Sequence, residues 1–141
     1  MKGEIAENYF LRGLNCCQAV VLAFKDESGL SEEEIKRLTI GFGGGLARQR
    51  LTCGAVSGMA MVLGALKSDG NDKAAAYSLI QKACEEFKAE TGSLICAEML
   101  SGEILKDKSA TPEERTPEYY KKRPCAALCR LAAEIAEKYI R

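Results

Sequence analysis

The stretch that decides the fold is residues 52–66, which read TCGAVSGMAMVLGAL. It carries no charge and is rich in glycine, alanine and larger apolar residues, which predicts a buried central helix. Thr52 is a favourable N-cap, so we expect Cys53 at the first helical position. Gly54 and Gly58 lie four residues apart and therefore on one helical face. Glycine costs about 1 kcal/mol in a helix relative to alanine, so this face predicts close approach by a neighbouring helix.

The remaining sequence predicts an all-α domain of five to seven helices that spans residues 1–141, with no internal repeat. No segment shows the sustained alternation of a strand. Capping signals and helix-starting prolines place the helix starts. We expect a first helix over residues 4–13 and later starts at Asn15, Ser31, Thr52, Asn71, Ser93, Thr111-Pro112, Thr116-Pro117 and Pro124. Residues 101–116 are the least apolar segment and are predicted to form a surface loop.

Composition excludes several classes of function. The 20 basic and 20 acidic residues balance and are mixed along the chain, which argues against a nucleic-acid partner. We expect the basic clusters at residues 48–50 and 121–123 to be solvated loops. The chain has no histidine, which excludes histidine-based catalysis and histidine-ligated metal or haem. No signal-peptide pattern is present, and the uncharged run is shorter than the about 20 residues of a membrane span, so we expect a cytoplasmic protein without membrane insertion.

Seven cysteines are many for a reducing compartment, where cysteines tend to be catalytic, redox-sensing or metal-binding. Four predicted helices carry a cysteine in their first turn: Cys16, Cys53, Cys96 and Cys125. A helix N-terminus stabilises a thiolate, so we expect lowered pKa values at these thiols. Cys84 and Cys129 lie further along their helices, where cysteine usually acts as a small hydrophobic residue. Cys17 is consistent with either role.

A run of glycines precedes the central helix at Gly43-Gly44-Gly45. It lacks the Gly-Lys-Ser/Thr signature of a phosphate-binding P-loop, and no predicted strand leads into it. We therefore expect a turn or a close backbone approach at this point.

Taken together, the motifs resemble the C_GCAxxG_C_C family of redox-active proteins, which is found in bacteria and archaea. The matching segments cover nearly the whole chain and are Asn15-Cys16-Cys17-Gln18-Ala19-Val20, Gly43-Gly44-Gly45, Thr52-Cys53-Gly54-Ala55-Val56-Ser57-Gly58, Gly92-Ser93-Leu94-Ile95-Cys96 and Cys125. The resemblance implies that Cys16, Cys53, Cys96 and Cys125 are the four signature cysteines. Cys17 occupies a position where the family more often has alanine. Cys129 is an alternative to Cys125 as the last signature cysteine.

Three functions remain open from the sequence. The four signature cysteines are the candidate catalytic residues of a thiol-based oxidoreductase, in which one thiol attacks a disulfide and another resolves the intermediate. The same four are the candidate ligands of a metal or iron–sulfur cluster, with Cys17, Gly54 and Gly58 as further cofactor-binding candidates. A helical scaffold with buried, inert cysteines is the third. The redox partner is not specified, and faces of small residues are compatible with a homo-oligomer.

Overall fold

The computed structural model describes residues 1–100, 102–107 and 109–141, and this part of the chain is helical without strands. The α-helices are α1 (Lys2–Leu11), α2 (Cys16–Leu22), α3 (Lys25–Ser28), α4 (Glu32–Thr39), α5 (Gly54–Lys67), α6 (Lys73–Thr91), α7 (Cys96–Met99), α8 (Pro117–Lys121) and α9 (Cys125–Ile140). Short 3₁₀ helices span Ile40–Phe42 and Gly102–Lys106. The all-α prediction is confirmed, but nine α-helices in the described residues exceed the five to seven expected. The excess arises because α3, α7 and α8 have only four or five residues each, too few to show helical periodicity.

Local capping sets several helix starts as predicted. The Asn15 side chain accepts a hydrogen bond from the Gln18 backbone N–H at 2.9 Å, and the Gln18 side chain accepts one from the Asn15 N–H at 3.0 Å. Ser31 and Glu34 form the same reciprocal box at the start of α4. Thr116 caps α8 with Pro117 at its first turn. Side-chain caps are short-range interactions, which is why the sequence reveals them.

Other predicted starts shift or disappear. Asp72, not Asn71, caps α6, and Pro124 is the N-cap of α9 rather than its first residue. Thr111-Pro112 starts no helix. The predicted surface loop over residues 101–116 contains the short 3₁₀ helix Gly102–Lys106, while Ser101 and Lys108 lie outside the described residues.

The central helix also begins one residue later than predicted. Thr52 forms an isolated antiparallel bridge with Ile95, so it does not cap α5. The Cys53 N–H donates to Leu94 O at 2.8 Å, and the Cys96 N–H donates to Leu51 O at 2.6 Å. These long-range bonds hold the chain extended up to Cys53, which becomes the N-cap of α5. The same pairing makes Ile95 the N-cap of α7 and moves Cys96 to its first position.

Helix α5 lies at the centre and packs against α2, α6 and α9, while α1 packs against α2 and α9. A Cβ atom at Gly54 would lie 2.8 Å from Phe42 O, and one at Gly58 would lie 3.0 Å from Val20 Cβ. The close approach predicted for this face is therefore confirmed, with α2 as the neighbour. The largest fully buried side chains include Phe10, Phe24, Phe87, Met59 and Leu63.

None of the helices in the described part of the chain is both long and apolar enough to cross a lipid bilayer.

Candidate functional site

Four cysteines from four helices line one small cavity of about 50 Å³, here called the cysteine cavity. Cys16, Cys96 and Cys125 are the first residues of α2, α7 and α9, and Cys53 is the N-cap of α5. All four side chains are buried, with at most 9% of their surface exposed. The cavity wall also includes Gly54, Arg50, Arg115, Tyr119 and Arg123. The structure thus brings together the four cysteines that the sequence marked at separate helix starts.

Cys16, Cys125 and Cys129 are close enough to shift one another's pKa. Cys16 interacts with Cys125 and with Cys129, and each interaction contributes to the pKa shifts of both partners. The Cys129 thiol lies 3.8 Å from Cys16 O, to which it can donate. Cys129 therefore contacts Cys16 but is not among the residues that line the cavity, whereas Cys125 is one of them.

Burial and neighbouring thiols, rather than the helix N-terminus, decide the ionisation of these thiols. Burial raises the pKa of Cys53 to about 12, even though the Val56 and Ala55 N–H groups at the start of α5 lower it. The hydrogen bond with Cys16 raises the pKa of Cys125 well above its usual range, and burial adds to the rise. The pKa of Cys16 also lies well above its usual range. The hydrogen bond with Cys125 lowers this pKa, but the hydrogen bond with Cys129 and the burial of Cys16 together raise it by more. The predicted lowering of these pKa values is therefore wrong, because removal from water penalises the thiolate more than backbone N–H groups favour it.

Arginine side chains oppose the rise in pKa at both Cys96 and Cys125. Burial raises the pKa of the Cys96 thiol, whereas a hydrogen bond and the charge of the Arg50 guanidinium lower it. Arg50 is itself only 4% exposed, and its Nε and Nη2 atoms have no hydrogen-bond partner among the described residues. Arg123 and Arg115 lower the pKa of Cys125 in the same direction, but the Cys16 thiol and burial raise it by more.

The loop of residues 43–51, here called the glycine loop, places Arg50 against the cavity. Its backbone is closed by hydrogen bonds from Arg48 N to Gly43 O, Arg50 N to Gly44 O and Leu51 N to Gly45 O, at 2.9 to 3.1 Å. Gly45 has φ +72°, and a Cβ atom there would lie 2.7 Å from Cys96 Cβ. The close backbone approach predicted for the glycine run is therefore confirmed. Four non-glycine residues of the loop also have positive φ: Leu46, Ala47, Arg48 and Arg50.

Of the remaining candidates, Gly54 lines the cysteine cavity, whereas Cys17 and Gly58 do not. Cys17 is fully buried between α2 and α5, with its sulfur 3.9 Å from Met61 Sδ. Gly58 faces Val20 and Cys17 O, whereas Gly54 lines the cysteine cavity. Cys84 is half-buried on α6, away from the cavity.

Sequence reasoning missed the arginines of the site. It assigned the clusters around residues 48–50 and 121–123 to solvated loops, but the Arg50 and Arg123 side chains are almost completely buried. Arg115 was not singled out at all, yet it lines the cavity and donates to Phe10 O and Leu14 O. Arg48 and Arg50 follow the three glycines after two intervening residues, and this clustering was the signal that could have marked the region.

The donor set of the cysteine cavity raises the question of a metal site. In the parts of the chain that the structure describes, no group of three or more Cys, Asp or Glu side chains has the geometry to hold a metal ion. The four thiols supply a donor set that soft metals prefer. As placed here, however, they do not form a ligand shell.

The fold and the site together define a class of protein. It is an all-α protein whose buried site holds four cysteines at helix starts and several neighbouring arginines. The family model described as "putative redox-active protein (C_GCAxxG_C_C)" matches residues 14–139. The chain therefore belongs to the C_GCAxxG_C_C family, as its motifs indicated. No curated protein and no solved structure matches the chain.

Proposed function

We propose that the chain is a two-electron thiol–disulfide redox protein in which Cys16 and Cys125 form the reversible disulfide. The observation that carries the proposal is that Cys16 and Cys125 line one small cavity with two other cysteines and interact closely enough to shift each other's pKa. A disulfide needs two thiols whose Cα atoms lie within about 7 Å, and neighbouring thiols of one cavity are the candidates for it. The family description, which names redox activity, supports the same chemistry.

Cys96 is the thiol that we propose reacts first with a substrate disulfide. The thiolate is the nucleophile in such exchange, and Arg50 favours the thiolate of Cys96. Its attack on one substrate sulfur forms a mixed disulfide and breaks the substrate S–S bond. The first substrate thiol leaves with a proton.

Cys125 then resolves the intermediate, since it lines the same small cavity as Cys96. Attack of the Cys125 thiolate on the Cys96 sulfur releases the second substrate thiol and leaves a Cys96–Cys125 disulfide. Attack of Cys16 on the Cys125 sulfur moves the disulfide to Cys16–Cys125 and restores Cys96 as a thiol. In sum, two protein thiols lose two electrons and two protons, and one substrate disulfide becomes two thiols.

Disulfide mapping tests this proposal. The reduced protein is treated with one equivalent of a small disulfide, quenched with acid, alkylated and mapped by mass spectrometry. We expect a Cys16–Cys125 link as the main product. Cys125→Ser should instead trap the mixed disulfide on Cys96, and the half-buried Cys84→Ser is the matched control that should react like the original protein. A main product that involves neither Cys16 nor Cys125, or thiols that do not react, would overturn the proposal.

A second candidate is a metal or iron–sulfur centre on the same four cysteines, favoured by their convergence on one cavity. Because the thiols do not form a ligand shell here, such a centre would require them to rearrange. Iron, zinc and acid-labile sulfide should be measured in protein purified without oxygen. Stoichiometric metal that is lost in Cys53→Ser, together with failure of the disulfide test, would favour this candidate over thiol chemistry.

A further inference from the structure

A second, larger cavity of about 300 Å³ adjoins the cysteine cavity. Four arginines line it, namely Arg48, Arg50, Arg115 and Arg123, and we call it the arginine pocket. Three of them, Arg50, Arg115 and Arg123, also line the cysteine cavity, as do Asn15, Gly44 and Tyr119. A molecule bound in the arginine pocket would therefore lie beside the cysteines.

The charge of the arginine pocket is strongly positive in a chain whose formal net charge is zero. Among the described residues that line the pocket, Glu113 is the acidic one. Its carboxylate forms salt bridges with both Arg48 and Arg123. The Arg115 guanidinium instead donates to two backbone carbonyls, Phe10 O and Leu14 O, at 3.1 and 2.9 Å. Arg48 also pairs with Asp107, at 3.4 Å, so four guanidinium groups face two carboxylates and a surplus of positive charge remains.

Three of the arginines are held in place by protein contacts. Arg115 lies over the Phe10 ring at 4.4 Å, and Arg123 lies over the Tyr119 ring at 4.4 Å. Arg48 donates to Ser109 O at 2.7 Å. Fixed guanidinium groups lose little conformational entropy when a ligand binds, so this wall is preorganised.

Arg50 is the residue that indicates a ligand. It is only 4% exposed, lines both cavities, and has two guanidinium nitrogens without a partner among the described residues. A buried charge without partners is costly, and such groups are normally paired. Arg50 also has φ +64°, a strained conformation for a residue with a side chain. Backbone strain together with two unpartnered nitrogens on a buried guanidinium is typical of a binding site.

We propose that the arginine pocket binds a small organic anion through its carboxylates. Guanidinium groups pair with carboxylates through two parallel hydrogen bonds, and the volume fits a molecule larger than a single inorganic ion. The identity of the substrate rests on the proposed thiol–disulfide function. Given that function, the substrate class is an acidic low-molecular-weight disulfide. Its carboxylates would contact the arginines while its sulfur atoms lie beside Cys96.

Binding can be tested without any redox chemistry. Thiodipropionate, a dicarboxylate thioether with no disulfide, is titrated into the reduced protein by calorimetry, with its neutral diamide and inorganic phosphate as comparison ligands. We expect saturable binding of the dicarboxylate, weakening with added salt, and no binding of the diamide. Arg50→Gln should weaken it by about tenfold or more, because charge-assisted hydrogen bonds are lost. Arg37→Gln, which removes an exposed arginine outside the pocket, should change it by less than about twofold.

Arg50→Lys keeps the charge and serves as the second variant if Arg50→Gln does not fold, as judged by circular dichroism. It should bind more weakly than the original protein, since lysine lacks the planar pair of donors. No saturable binding, equal binding of the diamide, or phosphate binding as tight as that of the dicarboxylate would overturn the proposal.

A kinetic comparison then separates this proposal from the proposed function. The rates at which dithiodipropionate and the neutral hydroxyethyl disulfide oxidise the protein are compared. We expect the acidic disulfide to react faster, and we expect Arg50→Gln to reduce the ratio of the two rates. Thiodipropionate binding without oxidation by either disulfide would support the pocket and overturn the redox function. Equal rates without thiodipropionate binding would support the function and overturn the pocket.

Discussion

At the residue scale, burial and neighbouring thiols set the ionisation of the cavity cysteines. Cys16, Cys53 and Cys125 all sit at helix N-termini, yet their pKa values are raised. A raised pKa disfavours the thiolate, which is the reactive form of cysteine. The Arg50 guanidinium opposes the rise at Cys96, and Arg123 and Arg115 oppose it at Cys125.

Buried thiols predict a loss of stability at alkaline pH, and Cys17 offers the clearest test. Burial, with a smaller effect of the Cys53 charge, raises its pKa from 9.0 to about 12. The folded-state pKa is above the unfolded value, so the stabilisation is complete below about pH 9 and is lost as the pH rises towards 12. Cys17→Ala should therefore flatten the fall of the free energy of unfolding by up to about 1.4 kcal/mol per pH unit in this range.

The measurement is urea unfolding in a phosphine reductant at several pH values from about one unit below the unfolded-state pKa of Cys17 to about one unit below its folded-state pKa. Cys84→Ala is the control, because Cys84 is only half-buried and should change the slope less. Equal slopes for the original protein and Cys17→Ala would show that Cys17 ionises alike in the folded and unfolded states.

At the scale of elements, the glycines of α5 have different roles. Gly54 lets the start of α5 approach the 3₁₀ helix Ile40–Phe42 and α2, since a Cβ atom would meet Phe42 O at 2.8 Å and Cys16 Cβ at 3.2 Å. Gly64 lies further along the helix, and a Cβ atom added there would have open space around it, with nothing among the described residues within 4 Å. Gly54 therefore positions Cys16 and Cys53, whereas Gly64 has no such packing role.

Alanine substitutions on this one helix should therefore have opposite effects. Gly54→Ala should destabilise the protein by about 1–3 kcal/mol through overpacking against a backbone carbonyl. Gly64→Ala should stabilise it by up to about 1 kcal/mol, because alanine is the better helix former and the added methyl group has open space. Thermal and urea unfolding of the two variants provide the measurement. Effects of the same sign would contradict the packing of α5 against α2.

At the scale of the whole molecule, Arg115 connects distant parts of the chain. It joins the segment before α8 to the end of α1 and to Leu14 through two hydrogen bonds to backbone carbonyls. Its guanidinium also lies over Phe10 and Tyr119, at 4.4 and 4.8 Å from the ring centroids. These contacts hold one wall of both cavities in place.

Arg115→Leu should lower the free energy of unfolding by about 2–4 kcal/mol, because two backbone carbonyls lose a charged donor. Arg115→Lys should lose less, since it keeps the charge but not the paired donors. The exposed Arg37→Leu is the control and should change stability by less than about 0.5 kcal/mol. Urea unfolding measures all three, and a loss for Arg115→Leu no larger than that of the control would rule out this connecting role.

The sequence by itself determined the helical class, the capping boxes at Asn15 and Ser31, the close-packed glycine face of α5 and the four cysteines at helix starts. Each of these depends on neighbours within a few residues, and local interactions can be read from local sequence. The family assignment rests on the same order of short motifs and matches residues 14–139.

Only the tertiary structure decided the bridge between Thr52 and Ile95, the convergence of the cysteines and the burial of Arg50 beside Cys96. The bridge joins residues far apart in the chain, so the sequence around Thr52 does not reveal it. Because Thr52 pairs with Ile95, it does not cap α5 as its local sequence predicted. The direction of the thiol pKa shifts was reversed for the same reason: a helix N-terminus is a local feature, whereas burial depends on how all the helices pack together.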